Sequence, residues 1–389
     1  MSIESIPTST YDYIVIGAGA SGLLLANALG KDSFFAERSI LLLDKDTDSP
    51  NDRTWCFWEK GEGEFDAILH KTWDQILVAD DTYSKRMAID PYKYKMIRAK
   101  DFYHTYHTKI NGYPNITFLK GKVVHIEERD NQVIISTDSR SFIGKKVFNS
   151  IFDYKPLLLQ KKYPVLQQHF IGWFIKSSRP VFNCQQATFM DFSIPQKGST
   201  RFMYVLPFSE TEALVEYTLF SRNPLSTQEY EDAIENYIKN NLACNQYEIL
   251  DREKGNIPMS CYDFNVHNSK HLMHIGVAGG WAKPSSGFTF MRTHQKTKAL
   301  IPFLKKDRPL NTFLKKDRFW YYDLLLLDIL FKENNKGRLI FGQLFKKSNP
   351  QKIFAFLDEK STIWQDLSII SACPKKEFIL AFIRRIFLI

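Results

Sequence analysis

The stretch "IGAGASGLLLANAL", residues 16–29, constrains this chain more than any other. Residues 11–16 read as a buried strand and residues 20–29 as a helix, with Gly17-Ala18-Gly19-Ala20-Ser21-Gly22 between them. Residues 40–43 read as a second buried strand that ends in Asp44, 22 residues past Gly22. A strand, a glycine-rich turn and a helix followed by a parallel strand form the opening unit of a dinucleotide-binding sheet. Gly17 permits the tight turn, Gly19 lets backbone approach a pyrophosphate at the helix N-terminus, and Gly22 lets helix and strand pack closely. Asp44 is placed to hold a ribose hydroxyl pair. The turn suits NAD or FAD.

Beyond this unit, residues 73–96 look strand-rich, 98–110 helical, and 116–148 a run of short strands. Residues 155–221 are mostly strand, which suggests a second, antiparallel layer. Ser226 and Glu229 form a capping box ahead of a helix to about residue 242. Residues 273–278 read as another strand, and the remainder as mainly helical. The expected fold class is therefore α/β, a Rossmann-like domain with an antiparallel-sheet substrate domain and a helical C-terminal part. The expected division is 1–150 for the first part of the dinucleotide domain and 151–270 for the antiparallel domain. Residues 271–300 then complete the dinucleotide domain, and 301–389 form the helical region. The second "FLKKDR", ten residues after the first, is too close to mark a repeat.

Composition narrows the function. Fifty-two Lys and Arg against forty-three Asp and Glu leave a net charge of +9, which suits nucleic acid, an anionic membrane face or a phosphate-bearing cofactor. No nucleic-acid motif accompanies the late basic group Lys305, Lys306, Arg308, Lys315, Lys316 and Arg318. Five cysteines without CxxC spacing suit a reducing compartment and argue against disulfides or zinc. His104 and His107, and His267, His271 and His274, lack companion ligands, so no metal is expected. The N-terminus lacks the pattern of a signal peptide, and no run approaches the roughly 18–20 apolar residues of a spanning helix.

The late segment "IGVAGGWAKPSSGFTF", residues 275–290, occupies the place where two-part FAD folds hold the flavin with a second glycine turn. Gly279 and Gly280 allow close backbone approach, Gly287 punctuates the turn, and Trp281, directly after Gly280, is expected to lie near the flavin. Position in the chain thus favours FAD. Flavin hydroxylases usually carry Gly-Asp-Ala here; this chain has Val277 instead of the Asp.

Six segments in this order carry a family resemblance: "NDRTWCFWE" (51–59), "QQHFIGWFIK" (167–176), "TFMDF" (188–192), "RFMYVLPFSETEALVEYTLFS" (201–221), "GNIPM" (255–259) and "GVAGGWAKPSSGFTFMR" (276–292). Together, and with a helical tail containing "FGQLF", they resemble the bacterial lycopene β-cyclases over nearly the whole chain. One departure is "VFNS" near residue 148, where relatives often carry an acid. The resemblance implies a non-redox ring closure that turns the ψ-ends of lycopene into β-rings, giving γ-carotene and then β-carotene. It implies FAD working in its reduced form, with NAD(P)H as reductant and other open-ended carotenoids as possible substrates.

The chemistry needs an acid, a dry cavity and negative or π charge near a carbocation. Glu216 shares one strand face with Leu214, Thr218 and Phe220, opposite Val215, Tyr217 and Leu219. Desolvation there would raise its pKa and keep a proton available; a solvent-facing strand Glu is the alternative that the residues alone leave open. The resemblance assigns Glu216 as the acid–base. Asp191, which alternation places on the face of Phe189 and opposite Met190 and Phe192, is the second carboxyl candidate, either orienting Glu216, taking the C6 proton, or serving a structural pair. Arg53 suits a flavin or pyrophosphate contact, or a surface position. Trp55, Phe57, Trp58, Trp173, Phe174 and Trp281 are candidates for cation–π stabilisation or for core packing.

The last segment, "CPKKEFILAFIRRIFLI" (373–389), has the composition of an interfacial helix attracted to anionic lipid, or of a terminal helix packed on the core. The expected location is cytoplasmic, on the inner face of the membrane. Rival readings are a flavin monooxygenase or epoxidase on an isoprenoid, a polyprenyl reductase, and a non-enzymatic carotenoid-binding protein.

Overall fold

The computed structural model describes residues 9–46 and 53–387. The first eight residues, Asn51 and Asp52 of the "NDRTWCFWE" segment, and the last two residues of the C-terminal segment lie outside the described residues.

The opening unit folds as its pattern predicts. Strand Ser9–Ile16 pairs in parallel with Ile40–Asp44 on one side and Ser141–Asn149 on the other. Ile116–Lys120 extends the sheet in parallel beyond Ile40–Asp44. Val123–Arg129 and Gln132–Thr137 extend the opposite edge as an antiparallel meander, and the short strand Leu272–His274 joins Ser141–Asn149 in parallel. The sheet is buried on both faces, which is why its central strands read as unbroken apolar runs. Tyr13 and Val15 pack with helices Ala20–Lys31, Ala99–Asn111 and Phe290–Leu304, whereas Ile14 and Ile16 pack towards the meander. The late strand is shorter than expected. It stops at His274, because Gly276 turns with φ +61° into a 3-10 segment over Gly276–Gly279.

The second sheet runs, in spatial order, Tyr247–Ser260, Val165–Ser177, Glu212–Ser221, Thr200–Pro207, Gln186–Asp191, Gln75–Ala79 and Ser84–Ala88. Its last two strands come from before residue 150. The expected division at that point is therefore crossed, since chain from the first part supplies one edge of the antiparallel layer. Helix Thr227–Asn240 covers one face, with Val215, Tyr217 and Leu219 packed under Tyr230, Ile234 and Tyr237. Its capping box forms as expected, with the Ser226 hydroxyl accepting from the Glu229 amide and the Glu229 carboxylate accepting from the Ser226 amide.

The other face looks towards a small antiparallel sheet, Thr54–Lys60 with Tyr92–Arg98 and Lys71–Trp73, and towards the C-terminal helices. The latter are Arg318–Lys332, Gly337–Lys347, Pro350–Leu357, Ile363–Ala372 and Lys375–Phe387. The two "FLKKDR" copies sit at helix ends: the first closes helix Phe290–Leu304, and Asp317 of the second accepts from the Phe319 and Trp320 amides to cap Arg318–Lys332. Several members of the late basic group are tied down within the chain, Lys305 to Asp32 at 2.7 Å, Lys316 to Asp263 at 2.7 Å and Arg318 to Asp366 at 2.6 Å.

Candidate active site

The three glycines of the first turn do three different jobs. Gly17 has φ +93°, a left-handed conformation that side chains resist. A Cβ on Gly22 would lie 1.8 Å from the Gly17 carbonyl oxygen, so helix and strand can meet only there as glycine. A Cβ on Gly19 would meet nothing within 4 Å; it would project into open space at the helix N-terminus. The first intrahelical bond runs from Leu23 N–H to the Gly19 carbonyl at 3.0 Å, so the amides before it face that space. An open helix N-terminus of this kind is suited to an anion.

Asp44 plays a part that the spacing did not suggest. Its carboxylate accepts from the Ala18 and Asp46 amides and braces the turn. Ser150, in the "VFNS" segment, donates to the Ile16 carbonyl at 2.8 Å and holds the same turn from the other side.

A cavity of about 1190 Å³ runs from the second glycine turn to the C-terminal helices. This exceeds the ~300–1,000 Å³ usual for small-molecule sites. Val277, Ser286 and Gly287 of the second glycine turn line the cavity, as does Arg53. Gln168 Oε1 and Ser286 Oγ, both on this wall, are buried and have no partner among the described residues. Gly287 has φ +70°, and a Cβ there would press on Gln168 Oε1 at 2.1 Å. Trp281 is fully buried in the core beneath the parallel sheet and does not line the cavity. Gly279 packs tightly on the His274 carbonyl, and Gly280 turns with φ +68° against Phe264.

Glu216 lines the cavity with 7% of its surface exposed. Alternation along Glu212–Ser221 places Glu216, Thr218 and Phe220 on the cavity side, as the sequence predicts. Burial pushes its carboxyl up to about 8, assisted by the negative charge of Glu253 and opposed by the Thr218 hydroxyl that donates to it. Its cross-strand neighbour Tyr204 hydrogen-bonds Tyr94; burial raises both phenols and the adjacent Cys56 thiol far above their ordinary values. Burial thus favours the protonated form of Glu216, which lies among neutral hydroxyls and aromatic rings with Glu253 nearby.

Glu253 is a cavity carboxyl that the sequence reading missed. It sits on Tyr247–Ser260, and the Thr54 hydroxyl spans its two oxygens at 3.0 and 3.1 Å. The available signal was Gly172, a glycine in the interior of an apolar strand, which often marks close approach of neighbouring groups.

Asp191 does not join this site. A bulge at Phe189–Met190 breaks the period-two alternation, so Phe189 and Met190 both line the main cavity. Asp191 turns to the opposite face, where it accepts from Tyr237 Oη at 2.7 Å and the Ser193 amide at 2.9 Å and lines a separate cavity of about 420 Å³. The expectation that it orients Glu216 is corrected: it makes the structural pair.

Of the candidate aromatics, Trp55 lines the cavity. Phe57 and Trp281 pack in the core of the parallel sheet, Trp173 beneath helix Thr227–Asn240, and Trp58 stacks on Phe354 behind the cavity wall. Other rings that line the cavity include Tyr94, Phe170, Phe189, Phe202, Tyr204 and Phe288. A buried ionic cluster ties the second glycine turn to the helical region. Lys283 Nζ meets Asp323 at 2.8 Å and Glu359 at 3.0 Å, Arg292 also pairs with Glu359, and the two cations hold the Glu359 carboxyl at about 2 against its burial. Among the described residues, no three His, Cys, Asp or Glu side chains gather as a metal-ligand set.

The fold recurs in flavoproteins. A geranylgeranyl bacteriochlorophyll reductase-like protein from Thermoplasma acidophilum is 12% identical, with a TM-score of 0.61 over 95% of this chain and 98% of its own. The p-nitrophenol 4-monooxygenase of Pseudomonas putida is 13% identical, with a TM-score of 0.59 over 95% of this chain and 99% of its own. A variant of the halogenase PltM solved in complex with FAD is 10% identical, with a TM-score of 0.58 over 96% of this chain and 83% of its own. These likenesses identify a mixed α/β FAD-binding oxidoreductase fold. No curated protein sequence matches the chain significantly. Residues 12–383 match the family described as lycopene cyclase protein, and the chain belongs to that family.

Proposed function

We propose that this chain is a lycopene β-cyclase that closes the ψ-ends of lycopene into β-rings, giving γ-carotene and β-carotene. The observation that carries this reading is Glu216: a buried carboxyl, its pKa pushed up to about 8 by desolvation, inside a large, aromatic-lined cavity. The described residues fit FAD. The open approach at Gly19 suits the pyrophosphate, and Gly287, Ser286 and Gln168 offer polar groups to the edge of a flavin ring. Arg53 also lines the cavity. Bound in reduced, anionic form, after reduction by NAD(P)H, FAD would supply negative charge that stabilises a nearby cation without electrons reaching the product.

Glu216 gives its proton to C2 of the terminal C1–C2 double bond. The cation at C1 is attacked by the C5–C6 double bond, which forms the ring and moves the positive charge to C5. Loss of the C6 proton completes the β-ring. The cavity rings face the charge with their π clouds, and the apolar walls exclude water that would otherwise trap the cation as an alcohol. Neutral Tyr94, Tyr204 and Cys56 add no charge that would compete for the proton.

Expression in bacteria that accumulate lycopene tests the reading. Conversion to β-carotene without oxygen, and without NAD(P)H consumed in proportion to product, supports a cyclase. Oxygenated products would point to the monooxygenase reading, and stoichiometric NAD(P)H use to the reductase.

A substrate that dissolves in lipid requires a lipid-facing mouth. The cavity reaches Leu367, Phe378, Ile379, Phe382 and Ile386 on the last two helices. Outward from there, Ile363, Trp364, Leu367, Ile379, Phe382 and Phe387 are exposed, Trp364 at 81%. Only Ala381 of helix Lys375–Phe387 is buried. Arg384 and Arg385 do not face outward as free cations; they clamp Asp328 at 3.0 and 2.9 Å, while Lys375 and Lys376 are exposed. No described helix is long and apolar enough to cross a membrane. The exposed apolar collar suits docking into one leaflet, with the lysines at the headgroups. Trp364→Ser with Leu367→Ser should lower sedimentation with anionic liposomes at least about fivefold, since each loses apolar area, with little change in melting temperature. Equal sedimentation would rule out docking through this face.

A further inference from the structure

Three adjacent strands align Glu216, Gly172 and Glu253 in one row: Gly172 pairs with Glu216 on one side and with Glu253 on the other. Both carboxylic side chains line the main cavity, and the residue between them has no side chain. Two strand spacings put the two backbones about 10 Å apart, with a slot between the side chains. A Cβ on Gly172 would lie 2.7 Å from Leu214 Cδ1, 3.3 Å from Glu216 Cβ and 3.4 Å from Glu253 Cγ, so any larger residue would fill the slot.

The two carboxyls are in different surroundings. Glu216 is held by the hydroxyl of its own strand neighbour, Thr218, deep among apolar walls. Glu253 receives the Thr54 hydroxyl across both oxygens, an arrangement that suits an ionised acceptor. One acid and one base therefore flank a hydrocarbon-sized slot.

We propose that Glu253 is the base that removes the C6 proton, working opposite Glu216 across Gly172. The inference rests on the cyclase reading and deepens it. The proton balance closes. Glu216 loses its proton as the C2–H bond forms, and the C5–C6 electron pair makes the C1–C6 bond. The C6–H pair then becomes the C5–C6 double bond as Glu253 takes the proton. Passage of that proton from Glu253 back to Glu216 restores both groups, with no net proton consumed and no electron transferred.

The position of the base decides which hydrogen leaves. A cation at C5 can lose a proton from C6, from C4 or from the attached methyl, giving three ring isomers. A base fixed opposite the acid selects C6. This provides a readout that a merely structural role would not move. Glu253→Gln keeps the size and can still accept from Thr54, but cannot take a proton. In lycopene-accumulating cells, and with purified protein on lycopene liposomes, we expect β-ring formation to fall at least about 100-fold, with the residual rings carrying the double bond at C4–C5 or outside the ring. Flavin content and melting temperature should match wild type. Glu253→Asp should restore at least a tenth of β-ring formation. Glu253→Gln that yields only β-rings within threefold of the wild-type rate would overturn the assignment. So would a folded pair of variants in which Gln and Asp are equally inactive, since the carboxylate would then confer nothing. A wild-type chain that leaves lycopene open-chained would overturn the cyclase reading itself, and this assignment with it.

Discussion

Glu216→Gln should abolish ring closure. Glutamine fills the same space and can still accept from Thr218, but it has no proton of useful acidity. Positioned general acids contribute roughly 10²–10⁴-fold, and here the proton starts the whole sequence, so a loss of at least about 10³-fold is expected. Pigment analysis should show lycopene where wild type yields β-carotene, with flavin content unchanged. Stability checks the same group independently. In the folded chain the carboxyl is raised from its ordinary 4.5 to about 8. Between those values the unfolded chain has released its proton while the folded chain retains it, so stability falls as pH rises through that window. Below it, both states hold the proton and the group contributes nothing to the pH slope; above it, the penalty is complete. The Gln variant lacks this linkage. Thermal melts should therefore show it gaining on wild type between pH 5 and pH 8.5, by an amount worth a few kcal/mol. A difference that stays constant across that range would mean that Glu216 is not raised. Wild-type turnover should decline above about pH 8, as the acid ionises.

Gly19→Val should separate folding from cofactor binding. Gly19 has φ −73°, which valine can adopt, and the space where its Cβ would sit is open. The melting temperature of the flavin-free protein should change little. The added methyl groups would stand where backbone must approach a phosphate, so flavin affinity should fall at least about 100-fold, a loss of about 2.7 kcal/mol. Gly22→Ala is the contrasting case: its Cβ would lie 1.8 Å from the Gly17 oxygen, and the whole turn must shift. Fluorescence titration with FAD distinguishes the two. Wild-type affinity in Gly19→Val would remove the first turn from cofactor binding.

Local pattern carried much of the fold. The opening strand, turn, helix and second strand were legible because each is set by near neighbours: apolar runs for strands buried on both faces, and glycines where a Cβ would collide or strain. The Ser226–Glu229 cap is three residues long and reads the same way. The orientation of Glu216 followed from period two along an unbroken strand.

The same rule misplaced Asp191, because one extra residue at Phe189–Met190 reverses the face, and nothing in "TFMDF" announces a bulge. Asp44 is a ribose candidate by spacing; that its carboxylate also accepts from the turn's Ala18 amide is a contact the spacing does not encode. Composition left the last helix open between a lipid-facing and a core-packed role; Asp328, 56 residues earlier in the chain than Arg384, claims both Arg384 and Arg385.

What the sequence alone determined is the class of cofactor turn, the presence of an antiparallel layer and the face on which Glu216 lies. These depend on contacts within a few residues. Only the tertiary structure decided that strands from before residue 150 join that layer, that Asp191 looks away and that Glu253 looks in. Glu253 meets Glu216 across Gly172, in a register set by two strand pairings that join residues 44 and 81 positions apart in the chain. Such alignments arise from packing whole strands against one another, and no short segment encodes them.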